Sequence, residues 1–387
     1  MRIAFVYPAS FAQPSANRFS ALKNCEALVE LGHAVDLLIP FREWSPDQVL
    51  SNLRDAAFDF GIRVLPRVKP LRFVGIRAHG YRLFSLVAAL FARRHRYDLC
   101  WCRDVYAAAY SARLGIPSLL EWHTPLSERG MRTAQRAASL RTFRGWVCIS
   151  DAHRRVERAL GFREDKLFVA HSGVDLRSFE DARARGPVYS LPRPAVLYCG
   201  SLYGGRGHDT FLEAAQMLPA ATFVIAGDPK EGETRLRERC ASRGIKNVLF
   251  TGRIPARDVP SLLLEADILA APYGPNAQSI SGEVTGPVCS PVKVFEYMAA
   301  GRPIVATAVG GIPEVLRHEG NALLVPPDNA HALAAAIQEL LGRPERGRRL
   351  AQRAREDVSA YTWELRVAAI LEFAARETES SDEGHAG

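Results

Sequence analysis

The 387-residue sequence is notable first for what it lacks. No apolar run approaches the ~20 residues that a membrane-spanning helix needs. The opening MRIAFVYPAS carries too short an apolar stretch for a secretory leader and reads as a first strand. The seven cysteines are scattered and form no disulfide framework, which suits a cytoplasmic protein. Cys100 and Cys102 stand two apart on an expected strand and share a face. Their expected role is that of small buried hydrophobes rather than a metal pair. There is no Asp-x-Asp to hold a nucleotide-bound metal, no Gly-x-Ser-x-Gly elbow and no His/Cys cluster at zinc spacing. No glycine precedes Gly32, so the loop after the first strand cannot be the dinucleotide fingerprint. That argues against a nicotinamide dehydrogenase.

What is present is an ordinary globular composition, 48% hydrophobic and 24% charged, long enough for two domains. The net charge of +8 is uneven. Up to residue 185 there are 29 Lys and Arg against 18 Asp and Glu, a surplus of 11; beyond it there are 21 against 24. A basic first half suggests an anionic contact, such as a lipid surface or a phosphorylated acceptor; an Arg-rich composition alone is the competing explanation. Nucleic acid is disfavoured, because no binding motif or basic-aromatic interleaving occurs.

Short β-rich apolar runs alternate with amphipathic stretches along the chain. RIAFVYP, HAVDLLIP, GIRVLP, YDLCWC, IPSLLEWH, WVCIS and LFVAHSG are the expected strands of a first parallel α/β sheet. The rhythm breaks across 181–195 and restarts at AVLYCGS, followed by ATFVIAG, NVLFTG and DILAAPY. We therefore expect two Rossmann-like, doubly wound domains facing a cleft, residues 1–182 and 183–358. A C-terminal helix over 359–376 returns to the first domain, and a disordered tail occupies 377–387. Ligands of such sheets lie beyond the carboxyl ends of the strands, so the loops there are the candidate sites.

The loop 199-CGSLYGGRGHDT-210 joins a strand to a helix. Its glycines, Gly200 included, let main-chain amides approach a ligand, and Arg206 adds a fixed positive charge; together they can cradle a diphosphate. In SPVKVFEYMAAG, Ser290 is the expected helix cap, followed by Pro291, Val292 and Lys293. A lysine near the positive end of a helix suits an anion site better than a structural helix. Glu296, one turn on, can accept two hydrogen bonds from a vicinal diol such as a ribose. A second Gly loop, Gly310 and Gly311, opens a short helix bearing Glu314. In 121-EWHTPLSERG-130, His123 sits at the end of a first-domain strand.

The ordered series E-x-H-x-P-L-S-E-R-G, VCIS, HSGVDLRSF, GSLYGGRG, NVLFTGRI, ADILAAPY, SPVKVFEYMAAGRPIVAT and GGIPEV resembles the retaining, nucleotide-sugar-dependent glycosyltransferases of the two-domain GT-B fold (group 1, family 4-like). The resemblance spans about residues 1 to 375. It implies that Glu296, the second Glu of the Glu-x7-Glu motif, holds the nucleotide ribose and that Arg206 contacts the diphosphate. It implies that Val292 and Lys293 meet the phosphates through their amides and that His123 lies near the transferred sugar. Gly200, Ser201, Arg253, Pro291, Gly310 and Gly311 complete the expected donor site, with His123, Arg206 and Lys293 as its catalytic residues. The sequence departs from the family pattern at Val288, where the first motif Glu is expected, and Glu283 is the candidate substitute for its sugar contact. Ser201 replaces a second diphosphate-binding Arg, Ser172 replaces the Asn of Asn-Gly-Val-Asp, and the loop 8–20 lacks the usual Gly-Gly.

The implied activity is metal-independent transfer of a hexose, with retention, from a UDP- or GDP-linked donor to a hydroxyl acceptor. No further cofactor is implied. The product would be a cell-surface polysaccharide, glycolipid or secondary-metabolite glycoside, and the basic first half suits a lipid-linked acceptor at the inner face of the membrane. Two rival readings stay open: a sugar-nucleotide 2-epimerase, and a non-catalytic transferase-like subunit.

Overall fold

The computed structural model describes residues 1–13, 15–41, 45–72, 80–124, 126–280 and 282–376. The expected disordered tail, 377–387, lies outside the described residues. The chain divides into two compact units. One comprises Met1–Ile149, Arg154–His171 and the chain from Trp363; the other comprises Ser150–His153 and Ser172–Thr362.

In the first unit strands and helices alternate: β1 (Arg2–Val6), α1 (Ala16–Glu30), β2 (Ala34–Phe41), α2 (Pro46–Asp59), β3 (Arg67–Arg72), α3 (Gly80–Arg94), β4 (Leu99–Cys102), α4 (Val105–Arg113), β5 (Ser118–Glu121), α5 (Glu128–Ala138), β6 (Phe143–Cys148), α6 (Asp151–Ala159) and β7 (Leu167–Val169). The sheet is parallel, in the order β3-β2-β1-β4-β5-β6-β7. Helices on both faces bury its central strands completely, so β4 and β5 read as continuous apolar runs rather than alternating ones. Cys100 and Cys102 are fully buried within β4, and burial pushes the Cys100 thiol up to about 12. Polar side chains start the helices: Ser15 accepts the Arg18 amide of α1, and Asp104 accepts the Ala107 amide of α4.

The strand expected at GIRVLP is displaced to Arg67–Arg72. The buried carboxylate of Glu26 accepts the main-chain amides of Arg63 and Val64, which pins the expected segment as a turn. The true strand, RVKPLR, contains Pro70, which an edge position tolerates. Helix α2, capped by Ser45 with Pro46 in its first turn, was not anticipated, although that pair is a start signal.

The second unit contains α7 (Leu176–Arg185), β8 (Ala195–Cys199), α8 (His208–Met217), β9 (Thr222–Ala226), α9 (Lys230–Arg243), β10 (Val248–Gly252), α10 (Val259–Leu263), β11 (Ile268–Ala271), α11 (Val292–Ala300), β12 (Ile304–Thr307), α12 (Ile312–Val315), β13 (Leu323–Val325), α13 (Ala330–Gly342) and α14 (Pro344–Asp357). Its six-stranded parallel sheet runs β10-β9-β8-β11-β12-β13. The unit begins at Ser172, earlier than the expected boundary at 182/183. Helix α7 is part of its core: Phe179 is buried there, and Arg183 donates to the carbonyls of Ala299 and Ala300.

The last helix, α15 (Trp363–Arg376), packs in the first unit. Phe373 stacks on Phe168 at 4.7 Å, and Gly145 leaves the room that this ring needs. Val367 and Ile370 are fully buried.

Candidate active site

In each sheet the strand order reverses once, between β1 and β4 and between β8 and β11. Those switch points open a crevice at the carboxyl ends of the strands. The chemistry-bearing residues gather there in both units.

In the second unit the loop after β8 and the start of α11 meet. Lys293, in the first turn of α11, is 8% exposed, and its ammonium lies 3.7 Å from the centre of the Tyr198 ring and 5.2 Å from that of Tyr273. It reaches Gly200, whose φ of +146° and lack of a side chain leave the space; a Cβ there would run into Nζ. Arg206 is held from two sides, donating to the Tyr273 hydroxyl at 3.1 Å and to the Gln278 carbonyl at 2.8 Å. His208, the first residue of α8, is edge-on to Tyr198 at 4.8 Å. Three buried nitrogens in this cluster have no hydrogen-bond partner: Arg206 Nε, His208 Nε2 and Lys293 Nζ. Buried polar atoms are as a rule satisfied, and other orphans such as Ser111 Oγ, Trp122 Nε1 and Ser261 Oγ come from scattered parts of the chain; three that gather in one place mark a position for a ligand.

The electrostatics agree. Burial, then the charge of Arg206, push the Lys293 ammonium down to about 7. Burial, then Lys293 and Arg206, push the His208 imidazole down to about 3. Neither α8 nor α11 has a side-chain cap; apart from the Val294 amide, which donates to the Pro291 carbonyl, the amides of both first turns remain open to an anion. Glu296 is half-buried on α11; burial raises the Cys199 thiol to about 12, and the Glu296 charge adds to that rise.

In the first unit a buried cluster forms around Glu121, the last residue of β5. Its carboxylate accepts from Trp101 Nε1 at 2.7 Å, Arg103 Nη1 at 3.2 Å, Arg366 Nη2 at 2.7 Å and His123 Nε2 at 3.0 Å. Burial alone would raise this carboxyl; the guanidinium groups of Arg366 and Arg103 outweigh it and hold Glu121 well below the carboxylate range. The other His123 nitrogen, Nδ1, lies 3.2 Å from Arg103 Nη2. Burial and the Arg103 charge push this imidazole down to about 3.

Comparison with known proteins gives a consistent answer. Residues 20–178 match the family described as Glycosyltransferase Family 4, and residues 193–343 match Glycosyl transferases group 1. Over 98% of its length the structure superposes on a glycosyltransferase from Rickettsia africae ESF-5, with a TM-score of 0.74 and 17% identity, covering 99% of that chain. The chain belongs to the GT-B glycosyltransferases. Anabaena HepE, solved in complex with UDP and glucose, shows the same fold, with a TM-score of 0.74, 18% identity, and 97% of this chain and 100% of that chain covered. D-inositol 3-phosphate glycosyltransferase of Mycobacterium tuberculosis is 30% identical over 238 residues, 58% of this chain and 47% of that protein. The chain thus spans about half the length of the curated relatives it matches.

Within this GT-B chain the structure brings Gly200, Ser201, Arg206, Pro291, Val292, Lys293 and Glu296 to one switch point. Pro291, not Ser290, occupies the cap position of α11, one residue later than expected. Ser172 donates its hydroxyl to the Ser290 carbonyl and so fixes the entry to that helix. The Ser201 carbonyl accepts the Tyr198 hydroxyl. Arg253 follows β10 and lies 3.6 Å from Asp228. Glu283 is exposed, and its carboxylate accepts the Ser279 hydroxyl. Val288 is 2% exposed, an apolar side chain in the core. Gly310 and Gly311 have a packing reason: a Cβ on the first would meet Gly286 and Cys289, a Cβ on the second Ser150, and the Gly311 amide already donates to the Cys289 carbonyl. The first turn of α6 falls in the second unit's Ser150–His153 segment, where Glu314 accepts the amides of Asp151 and Ala152 and so caps that turn instead of serving its own short helix. Sequence reasoning missed Tyr198, Tyr273, His208, Arg103 and Arg366. Only His208, two residues after Arg206, carried a local signal.

Proposed function

We propose that this GT-B protein is a retaining, metal-independent hexosyltransferase that moves a sugar from a nucleoside diphosphate sugar to a hydroxyl acceptor. The observation that carries the reading is the set of three orphaned, buried nitrogens at Arg206, His208 and Lys293, beside two uncapped helix starts. The Arg206 and Lys293 charges repel each other when the site is empty, and a diphosphate satisfies both. Glu296, one turn into α11, is the candidate ribose ligand. The solved relatives in complex with UDP favour UDP over GDP as the donor nucleotide.

In this reading the acceptor oxygen bonds to the anomeric carbon on the face from which the phosphate departs. The carbon–phosphate-oxygen bond breaks, and the acceptor proton passes to the departing phosphate. Arg206, Lys293 and the helix amides stabilise the charge released. His123 fits the reading as a substrate contact and not as the base, since both of its ring nitrogens are engaged.

The acceptor side is consistent with a lipid-linked hydroxyl in glycolipid or polysaccharide synthesis at the inner membrane face. Leu83, Leu86 and Leu90 form an exposed stripe on α3, a helix that ends in Arg93 and Arg94. Among the described residues no helix is long and apolar enough to cross a membrane. Co-sedimentation with anionic liposomes, lost as salt rises, checks this part.

A thermal-shift panel of sugar nucleotides tests the main reading, because a ligand that binds only the folded protein raises the melting temperature. UDP- or GDP-sugars should raise it and be consumed with acceptor, and Arg206→Ala should weaken donor binding about 10- to 100-fold. Unchanged donor affinity in that variant would remove Arg206 from the site. Conversion of the donor to an epimer without acceptor would replace transfer with epimerisation. Donor binding without turnover would favour the non-catalytic subunit.

A further inference from the structure

Arg366 lies far along the chain from any motif, yet its guanidinium is spent entirely inside the first unit. It is 7% exposed and donates through Nε to the His171 carbonyl at 2.9 Å, through Nη1 to Asn24 Oδ1 at 2.7 Å and through Nη2 to Glu121 Oε1 at 2.7 Å. The same Glu121 oxygen accepts from His123 Nε2. Since a carboxylate only accepts and a guanidinium only donates, the ring between them has one consistent state. Its Nε2–H donates to Glu121 and its Nδ1 lone pair accepts from Arg103. The geometry points to Arg366 as a positioning residue for His123: through Glu121, the last helix locks the imidazole in one orientation and one neutral tautomer. The part concerning turnover rests on the sugar-transfer reading.

The charged and titratable groups around the ring come from several elements. Arg103 follows β4, Glu121 ends β5 and Arg366 belongs to α15; one step further out, Cys25 on α1 interacts with Glu121 and Arg103, and Tyr7, after β1, with Arg103 and Arg18. Burial raises both the Cys25 thiol and the Tyr7 hydroxyl, so neither competes for a proton at neutral pH. Removing Arg366 takes away a positive charge that opposes protonation of His123, and it frees the Glu121 carboxylate to favour that protonation. The ring should then charge more readily, turn, and present a different face to substrate.

Nitrogen NMR of the ¹⁵N-histidine-labelled full chain, with the His123 signals assigned from His123→Gln, reads this without any turnover. In the wild type the ring should remain the neutral Nε2–H tautomer from about pH 8 to about pH 5. In Arg366→Met the ring should instead ionise within that range, and Arg366→Lys should fall between. Under the sugar-transfer reading kcat should fall about tenfold or more in Arg366→Met, with the donor KM within about twofold, the pattern of lost orientation. Phe373→Leu, which loosens α15 without touching Glu121, should lower Tm and leave the ring signals unchanged. If Arg366→Met does not fold, Arg366→Lys decides the matter. Folded variants at position 366 that keep the wild-type His123 tautomer and titration overturn the proposal. A wild type that turns over no sugar nucleotide would defeat the sugar-transfer reading and leave the ring spectrum to decide this one.

Discussion

Replacing Lys293 by methionine should make the second unit more stable while removing its anion site. The lysine ammonium is buried against the Tyr198 and Tyr273 rings, lacks a hydrogen-bond partner and faces Arg206. Methionine keeps most of the aliphatic stem's packing and removes the charge. Burial and Arg206 lower this ammonium from 10.5 to about 7. The folded state therefore binds fewer protons than the unfolded one between those values, and wild-type stability rises with pH across that window. The penalty is complete below about pH 7, on the order of 5 kcal/mol as an upper bound, since one pKa unit is about 1.4 kcal/mol. At about pH 9 only about 2 kcal/mol of it remains. The gain from Lys293→Met should accordingly shrink by roughly 3 kcal/mol between about pH 6 and about pH 9. Urea unfolding followed by far-ultraviolet circular dichroism measures it. No tryptophan occurs in the second unit's segments, Ser150–His153 and Ser172–Thr362, so tryptophan fluorescence does not report that unit. A variant that is less stable than wild type, or whose difference from wild type does not change with pH, would refute the argument.

Two further substitutions probe the same unit. Gly200→Ala places a side chain at φ +146° and displaces the Lys293 ammonium; it should cost about 1–3 kcal/mol in urea unfolding and weaken diphosphate binding by calorimetry. Glu314→Ala removes the acceptor of the Asp151 and Ala152 amides, at 2.7 and 2.8 Å. It should cost about 1–2 kcal/mol with donor affinity unchanged, because the carboxylate acts as a helix cap.

The parallel α/β architecture was legible because each strand is an apolar run bounded by turn residues and each helix an amphipathic one, and these patterns are local. The edge of the first sheet was not. GIRVLP satisfies every strand criterion, and only a carboxylate 37 residues earlier, Glu26, turns it aside by taking its amides. The donor loop was legible for the same local reason: glycines, an arginine and a helix start adjoin in sequence. What could not be read was which polar groups the fold leaves unsatisfied.

Lys293 and Glu314 show why that distinction matters for assigning roles. Both were charged residues in the first turn of a helix beside a glycine loop, and sequence position treats them alike. In the fold one carboxylate finds two amides at hydrogen-bonding distance, while the ammonium finds two aromatic rings, a like charge and no acceptor. A satisfied charge stabilises the protein and can be replaced at a cost in stability alone. An unsatisfied one destabilises the empty protein, and it persists only where a ligand of opposite charge completes it. The partner that a residue lacks therefore separates site from scaffold here, and that information appears only once distant parts of the chain have been brought together.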